Sequence, residues 1–218
     1  MFHPPSILRG RKGMGTSCKR ITAFVLFVWC LAPGVQCILA QSHPTAAELI
    51  QNLQSEQTTD NAKNELLKLG RSDPEIRQYL TVHLPPLIES GPGSPDCSGH
   101  HCQEWNNAVE LAGKLKIGEA APALARWINW RNPGAPVGLS LEARLVFYPA
   151  ARSLADIGDP AIPAVQHALD HGNADEHFKA VRILCIIHTP KAKAVLQGVF
   201  PTESEPDLRA MIKNCLRE

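Results

Sequence analysis

Two short stretches of the chain hold residue types that can do chemistry, and the first is SPDCSGHHCQEW at residues 94–105. It places Cys97 and Cys102 around His100 and His101, in a stretch whose serine, glycine and proline content is typical of a loop. Cysteines and histidines at short spacing are used by structural zinc sites and by redox sites. The same two cysteines can also close the loop as a disulfide, so the chemistry depends on the compartment.

The second stretch is HALDHGNADEH at residues 167–177, which gathers three histidines and three acids around a turn: His167, Asp170, His171, Asp175, Glu176 and His177. Its spacing could present ligands to a divalent metal ion. We favour the alternative, in which the stretch is a solvated polar turn whose acids cap the helix that follows.

The sequence carries none of the common catalytic or cofactor motifs. H-E-x-x-H, G-x-S-x-G, G-x-G-x-x-G and the P-loop are all missing. We therefore predict no catalytic residue, no cofactor and no metal ligand, with His100, His101, His167, His171 and His177 as weak metal candidates.

The first forty residues predict an export signal. A basic segment without acids precedes an apolar run from Ile21 to Ala32, and CILAQS then offers a small-residue cleavage site before Gln41. We predict a signal peptide at 1–40 and an exported mature chain, periplasmic or secreted. A start at Met14 would leave 1–13 untranslated, and a leader retained as a membrane anchor is the alternative.

Removal of the leader changes the charge of the chain. The leader holds five of the 22 Lys and Arg residues and none of the 21 acids, so the mature chain carries 17 basic against 21 acidic residues, a net charge of −4. This excludes a general basic footprint for nucleic acid, and a membrane is expected as a partner only if the leader stays. We expect a monomer.

Export also bears on the four cysteines that remain after cleavage. Thiols outside the cytoplasm tend to be oxidised, so we predict a Cys97–Cys102 disulfide; a metal or redox site and free thiols stay as alternatives. For Cys185 and Cys215 we expect two buried thiols. They lie one repeat apart on stacked helices, whose axes would be about 8–10 Å from each other. A disulfide needs Cα atoms within roughly 7 Å of each other, so this spacing argues against a bridge.

Internal similarity organises the mature chain. Four segments align: LLKLGRSDPEIRQYL at 66–80, KLKIGEAAPALARWI at 114–128, SLADIGDPAIPAVQHAL at 153–169 and LCIIHTPKAKAVLQGV at 184–199. Each ends one amphipathic helix at Gly70, Gly118, Gly158 or His188 and begins another within a few residues. Glycine accepts the left-handed conformation after a helix, and proline suits the first turn of the next. The chain thus reads as all-α, a short α-solenoid of about four helix pairs over 41–218, with insertions near 90–104 and 130–140.

The segment SLADIGDPAIPAVQHAL resembles the short HEAT repeats related to those of phycobilisome lyases. Those repeats run as an alanine- and leucine-rich helix, then Leu-Gly or Ile-Gly, Asp, Pro, Ala and a second helix. The resemblance is strong at 141–170, weak at 174–200, where His188 replaces the glycine, and covers about two thirds of the mature chain. The matching positions are for packing and capping, so they do not imply catalysis.

These features together predict an exported scaffold that binds a protein partner. A solenoid exposes a long face lined by successive second helices. Aromatic residues with an arginine are typical of interface hot spots, which makes Trp127, Trp130, Arg131 and Tyr148 the protein-binding candidates. A metal-binding or redox protein that uses 97–102 or 167–177, and a lyase-like enzyme or its accessory subunit, are the alternatives.

Overall fold

The described part of the chain consists of α-helices joined by turns and short connecting segments. The computed structural model describes residues 45–53, 58–94, 96–97, 100–133 and 145–217. Within these ranges it contains ten α-helices and no strand, which confirms the all-α prediction. The helices are α1 (Ala46–Asn52), α2 (Thr59–Ser72), α3 (Pro74–Glu89), α4 (His100–Lys114), α5 (Ala121–Arg126), α6 (Pro149–Ile157), α7 (Ile162–His171), α8 (Ala174–Ile187), α9 (Pro190–Val199) and α10 (Pro206–Arg217).

In sequence the helices fall into four pairs, α2/α3, α4/α5, α6/α7 and α8/α9, of which α2/α3 and α8/α9 pack directly on each other. The first helices of successive pairs contact one another, as do the second helices. Helix α1 packs on α2 and α3, and α10 packs on α8 and α9. This is the solenoid-like arrangement predicted from the repeats. Since one helix pair cannot bury its apolar faces alone, the stack of neighbours supplies the core.

The contact between α4 and α6 depends on a glycine. A Cβ atom on Gly113 of α4 would lie 2.8 Å from Oγ and 3.0 Å from Cα of Ser153 in α6. The Ser153 hydroxyl instead donates a hydrogen bond to the Val109 carbonyl at 2.8 Å. Small residues therefore let α4 and α6 pack more extensively than any other two of the described helices.

Several of the predicted helix starts have their capping bonds. Thr45 and Glu48 form the predicted capping box of α1. The Asp73 carboxylate accepts hydrogen bonds from the first turn of α3, and the Thr189 hydroxyl accepts one from Ala192 in α9. Asn173 and Glu176 form a second capping box at α8, so at least one acid of the 167–177 stretch caps a helix as expected.

The junction glycines do not all have the predicted conformation. Gly158 has a positive φ of 81°, but in the second repeat the left-handed residue is Lys116, and in the fourth it is His188. Gly70 lies inside α2, and Gly118 opens a 3₁₀ turn. The left-handed prediction for Gly70 and Gly118 is therefore wrong.

Gly70 and Gly118 instead leave room for the next repeat. A Cβ atom on Gly70 would lie 2.8 Å from Cδ1 of Leu115, and one on Gly118 would lie 2.8 Å from Cβ of Pro160. Each glycine thus lets one junction pack against the following pair. The sequence pattern is the same as for a left-handed glycine, although the physical reason differs.

We expect Gly158→Ala to destabilise the protein by about 1–3 kcal/mol, because its φ of 81° and ψ of −138° fall in a region that only glycine adopts without strain. No atom lies within 4 Å of the added Cβ, so the loss would come from the backbone alone. Urea unfolding measures the change. Gly198→Ala in α9 is the matched control, also with open space around the new Cβ. Equal stability of the two variants would contradict this account.

The predicted segment boundaries are only partly within the described residues. The leader at 1–40 lies outside them, as does most of the 130–140 insertion, because 134–144 are not described. The last five residues of the 90–104 stretch belong to α4, which begins at His100. Among the described helices, none combines the length and apolar character needed to cross a bilayer.

Candidate functional site

An open groove lies between the second helices α5 and α7. Its volume is about 530 Å³. Small apolar residues and a few polar side chains line it: Pro122, Ala125, Arg126, Pro163, Ala164, His167, Ala168, His171, Gly172 and Glu176. The groove therefore offers shallow apolar surface with ionisable groups beside it.

Two successive repeats build this groove from equivalent positions. Pro122 and Pro163 are both second residues of their helices, and each is followed four residues later by a basic or imidazole side chain, Arg126 or His167. The opposite faces of α5 and α7 are buried, so these side chains are directed outward. Arg126 forms an ion pair with Glu89 of α3, which balances its charge.

His167 and His171 are the two candidate residues that the structure brings together. They lie four residues apart on α7, both are exposed, and their ring centroids are 4.6 Å apart. Residues at this spacing share one helix face. Neither ring makes a hydrogen bond or an ion pair within the described part of the chain.

His177 does not join this pair, because both of its ring nitrogens have partners elsewhere. Nδ1 lies 2.9 Å from the Leu169 carbonyl oxygen, and Nε2 lies 2.9 Å from Oε2 of Glu203. Both neighbours are acceptor oxygens, so neither ring nitrogen of His177 is open to another ligand. His177 thus links α7 and α8 to the segment before α10.

Glu203 is the acid that faces His177, and its side chain is 7% exposed. Burial by itself raises the pKa of this carboxyl. The backbone N–H of Glu205, whose nitrogen lies 2.8 Å from Oε1 of Glu203, and the His177 ring lower it and together outweigh burial, so the pKa of Glu203 is below its ordinary value. A lowered pKa in the folded state means that this carboxylate stabilises the fold above the pKa of the unfolded chain.

We therefore expect Glu203→Gln to lower the free energy of unfolding at pH 7 by about 1.5 kcal/mol, the lower end of the range for hydrogen bonds to charged groups. The difference from wild type should shrink as the pH falls through about 4.3 and below, where the wild-type carboxyl takes up a proton. Urea unfolding at a series of pH values tests this. Glu205→Gln, an exposed neighbour, should change little. A difference that is independent of pH would exclude the charge as its cause.

The loop at 94–105 contains the predicted disulfide. Cys97 and Cys102 are joined with their Cα atoms 5.2 Å apart. His100 and His101 lie in the first turn of α4. Nδ1 of His101 lies 3.6 Å from Oε2 of Glu104. With both thiols bonded to each other, the loop offers no free cysteine to a metal ion.

Cys185 and Cys215 correct the sequence prediction of two buried thiols. They are half-buried and form a second disulfide, with Cα atoms 5.4 Å apart. The prediction assumed the ordinary spacing of stacked helices, with both side chains pointing the same way. Helix α10 packs on both α8 and α9, which brings Cys215 against Cys185. All four cysteines of the described residues are thus paired, which fits an oxidising compartment.

The predicted protein-binding aromatics have partners within the chain. Trp105 is buried, and its ring meets Trp127 and Trp130 edge to face at centroid distances of 6.1 and 4.7 Å. Trp127 and Trp130 are half-buried. Two of the four candidates therefore contribute to the core, whatever else they bind.

The other two candidates are Arg131, which follows Trp130 in sequence, and Tyr148, which directly precedes α6. The amine of Lys179 lies 4.6 Å from the centre of the Tyr148 ring and donates a hydrogen bond to Asn129 at 2.7 Å. Burial lowers the pKa of Lys179, although two neighbouring acids oppose this shift. Arg131 is exposed and also has an interaction partner. That these four residues recognise a protein stays a prediction.

Comparison with known proteins gives no assignment. No family model, curated protein or solved structure matches this chain. The resemblance to HEAT repeats therefore stays a prediction. Within the described ranges, no three or more His, Cys, Asp or Glu side chains are grouped to hold a metal ion.

Sequence reasoning missed most of the groove. The residues Pro122, Ala125 and Ala164 were not among the candidates, although each lies on the outward face of a second helix. One signal was available, since prolines and small residues recur at equivalent outward positions of α5 and α7. Such positions usually carry polar residues on a solvated helix face.

Proposed function

We propose that this chain is an exported, non-enzymatic scaffold that binds a protein partner along the groove between α5 and α7. The observation that carries the proposal is the open apolar groove at the second helices of two neighbouring repeats. Repeat proteins use the face lined by such helices for recognition. Relatedness to HEAT repeats is part of this proposal and explains the junction pattern.

The chemistry of the groove favours a segment with small apolar side chains and carboxylates. Ala125, Ala164 and Ala168 offer contact surface without large side chains in the way. His167 and His171 add imidazole donors that have no partner in the described chain. Glu176 already accepts a hydrogen bond from the Asn173 backbone in its capping box, so its carboxylate is partly satisfied. An imidazole ring offers at least one N–H donor, so an apolar peptide that also carries carboxylates can accept a hydrogen bond from each of the two rings.

Selection from a displayed peptide library tests this function. We expect the purified chain to enrich peptides with acidic and small apolar residues. The chosen peptides should bind Ala164→Arg at least tenfold more weakly, because the new side chain fills the groove. Asn64→Arg, an exposed substitution on α2, is the matched control and should bind as wild type does. Circular dichroism establishes that both variants are folded.

Two outcomes would contradict the proposal. Enriched peptides that bind wild type and Ala164→Arg equally would exclude this groove as the docking surface. Enrichment of basic or neutral peptides would overturn the proposed partner chemistry. Turnover of a substrate lost on replacing His167 and His171 would instead favour the enzyme alternative.

A further inference from the structure

The exposed histidine pair on α7 has the geometry of a chelating site. His167 and His171 occupy positions i and i+4, and their ring centroids are 4.6 Å apart with the planes inclined by 31°. Two histidines at this spacing on one helix face bind a single metal ion in other proteins. Both rings are exposed, so small side-chain rotations can bring one nitrogen of each to the ~2.0–2.1 Å that a metal–imidazole bond requires.

Neither ring of this pair makes a hydrogen bond within the described chain, whereas His83 and His177 each place at least one ring nitrogen against an acceptor. His83 places Nδ1 2.8 Å from the Tyr79 carbonyl oxygen and stacks on the Tyr79 ring. His177 has acceptors at both nitrogens. His167 and His171 make no hydrogen bond within the described chain, so a metal ion would displace only water from them.

The charges around the pair do not oppose a cation. Arg126 lines the same groove, but it is paired with Glu89. Glu176 adds a carboxylate to the groove, and Asp170 lies exposed between the two histidines in sequence. The surroundings therefore have no unbalanced positive charge on a described side chain that lines this groove.

We propose that His167 and His171 form an open two-histidine site for a first-row divalent metal ion. Imidazole ligands suit Cu²⁺, Ni²⁺ and Zn²⁺, and the affinity order for such ligands places Cu²⁺ first. Two protein ligands leave the remaining coordination positions to water or to a ligand from another molecule. The site needs no peptide in the groove, so this inference holds or fails separately from the proposed function.

Titration of the chain with Cu²⁺ and Zn²⁺ tests the site, with the protein purified without an affinity tag. One sequence feature must be removed first. Cleavage before Gln41 would create a free amino terminus with His43 in third place, and amine, amide and imidazole nitrogens there can bind Cu²⁺ in a square plane. All measurements therefore use a His43→Ala background, with calorimetry for affinity and electron paramagnetic resonance for the nitrogen ligands of Cu²⁺.

We expect one metal ion per chain, bound more tightly for Cu²⁺ than for Zn²⁺, with two imidazole nitrogens in the Cu²⁺ spectrum. His167→Ala and His171→Ala should each weaken binding at least tenfold. His83→Ala, an exposed histidine on α3, is the matched control and should leave the affinity unchanged. Unchanged binding in the His167→Ala, His171→Ala double variant would overturn the proposal, as would the absence of saturable binding by wild type.

Discussion

Trp105→Ala is expected to lower the free energy of unfolding by about 4 kcal/mol, within the range for removing a buried tryptophan. The Trp105 side chain is only 1% exposed and is the shared partner of Trp127 and Trp130. Alanine would leave a cavity that these two rings could fill only in part. Urea unfolding followed by circular dichroism measures the loss.

Trp105→Phe separates the volume of the ring from its hydrogen bond. The Trp105 indole N–H donates to the Ile88 carbonyl at 2.9 Å. Phenylalanine keeps an aromatic ring in the cluster but removes this hydrogen bond, at a cost of about 0.5–1.5 kcal/mol, because the Ile88 carbonyl still accepts from the Gly91 N–H at 3.1 Å. We expect Trp105→Phe to fall between wild type and Trp105→Ala. A loss below about 1 kcal/mol for Trp105→Ala would contradict the placement of this ring in the core.

Removal of the Cys185–Cys215 disulfide is expected to destabilise the protein by about 3.5 kcal/mol, and removal of Cys97–Cys102 by about 2 kcal/mol. The two bridges close loops of 30 and 5 residues, and the entropy that a crosslink removes from the unfolded chain grows with loop length. Double alanine variants are preferred, because serine would bury a hydroxyl at Cys102, which is 1% exposed.

The two disulfide variants serve as controls for each other. Both remove one bridge and two sulfurs, so their difference reports mainly on loop length. Peptide mapping without reduction should find both pairings in wild type, and a chelator should leave the wild-type melting temperature unchanged. A larger loss for the shorter loop would contradict the entropic argument. A lower melting temperature with chelator and no 97–102 bridge would mean that this loop binds a metal ion instead.

The helical architecture could be predicted because its signals are local. Apolar residues at three- and four-residue spacing, together with capping residues, identify the helices and their buried faces. Ala108, Leu111 and Ala112 of α4 share one helix face through this spacing, and all three are buried. The pairing of helices then followed from the short junctions, which leave neighbours in sequence as neighbours in space.

Features that depend on contacts between repeats could not be predicted in the same way. The glycine at 118 has the same sequence context as that at 158, yet one makes room for Pro160 and the other adopts a positive φ. The Cys185–Cys215 bridge depends on how α10 packs at the end of the stack. The sequence pattern predicts which face of each helix is buried. The distances between residues of different repeats are set by how whole helix pairs pack.

The candidate groove could be predicted only in part. The sequence indicated His167 and His171 through their types and spacing, and the structure gives them a common helix face. It separated His177 from them, because the Glu203 side chain that holds His177 is 26 residues away in sequence. A turn rich in ligands thus divides into an available pair and a residue with a structural role.

The order in which the helices pack also determines which parts of the protein unfold locally before global unfolding. When each pair touches mainly its neighbours, amide protons are released for exchange in contiguous groups rather than all at once. The Cys185–Cys215 bridge encloses α9 and most of α10 and links α8 to α10, so fraying at that end is suppressed. The seven-residue helix α1 has no such bridge, and partial unfolding is therefore expected to begin at α1 and advance toward the bridge.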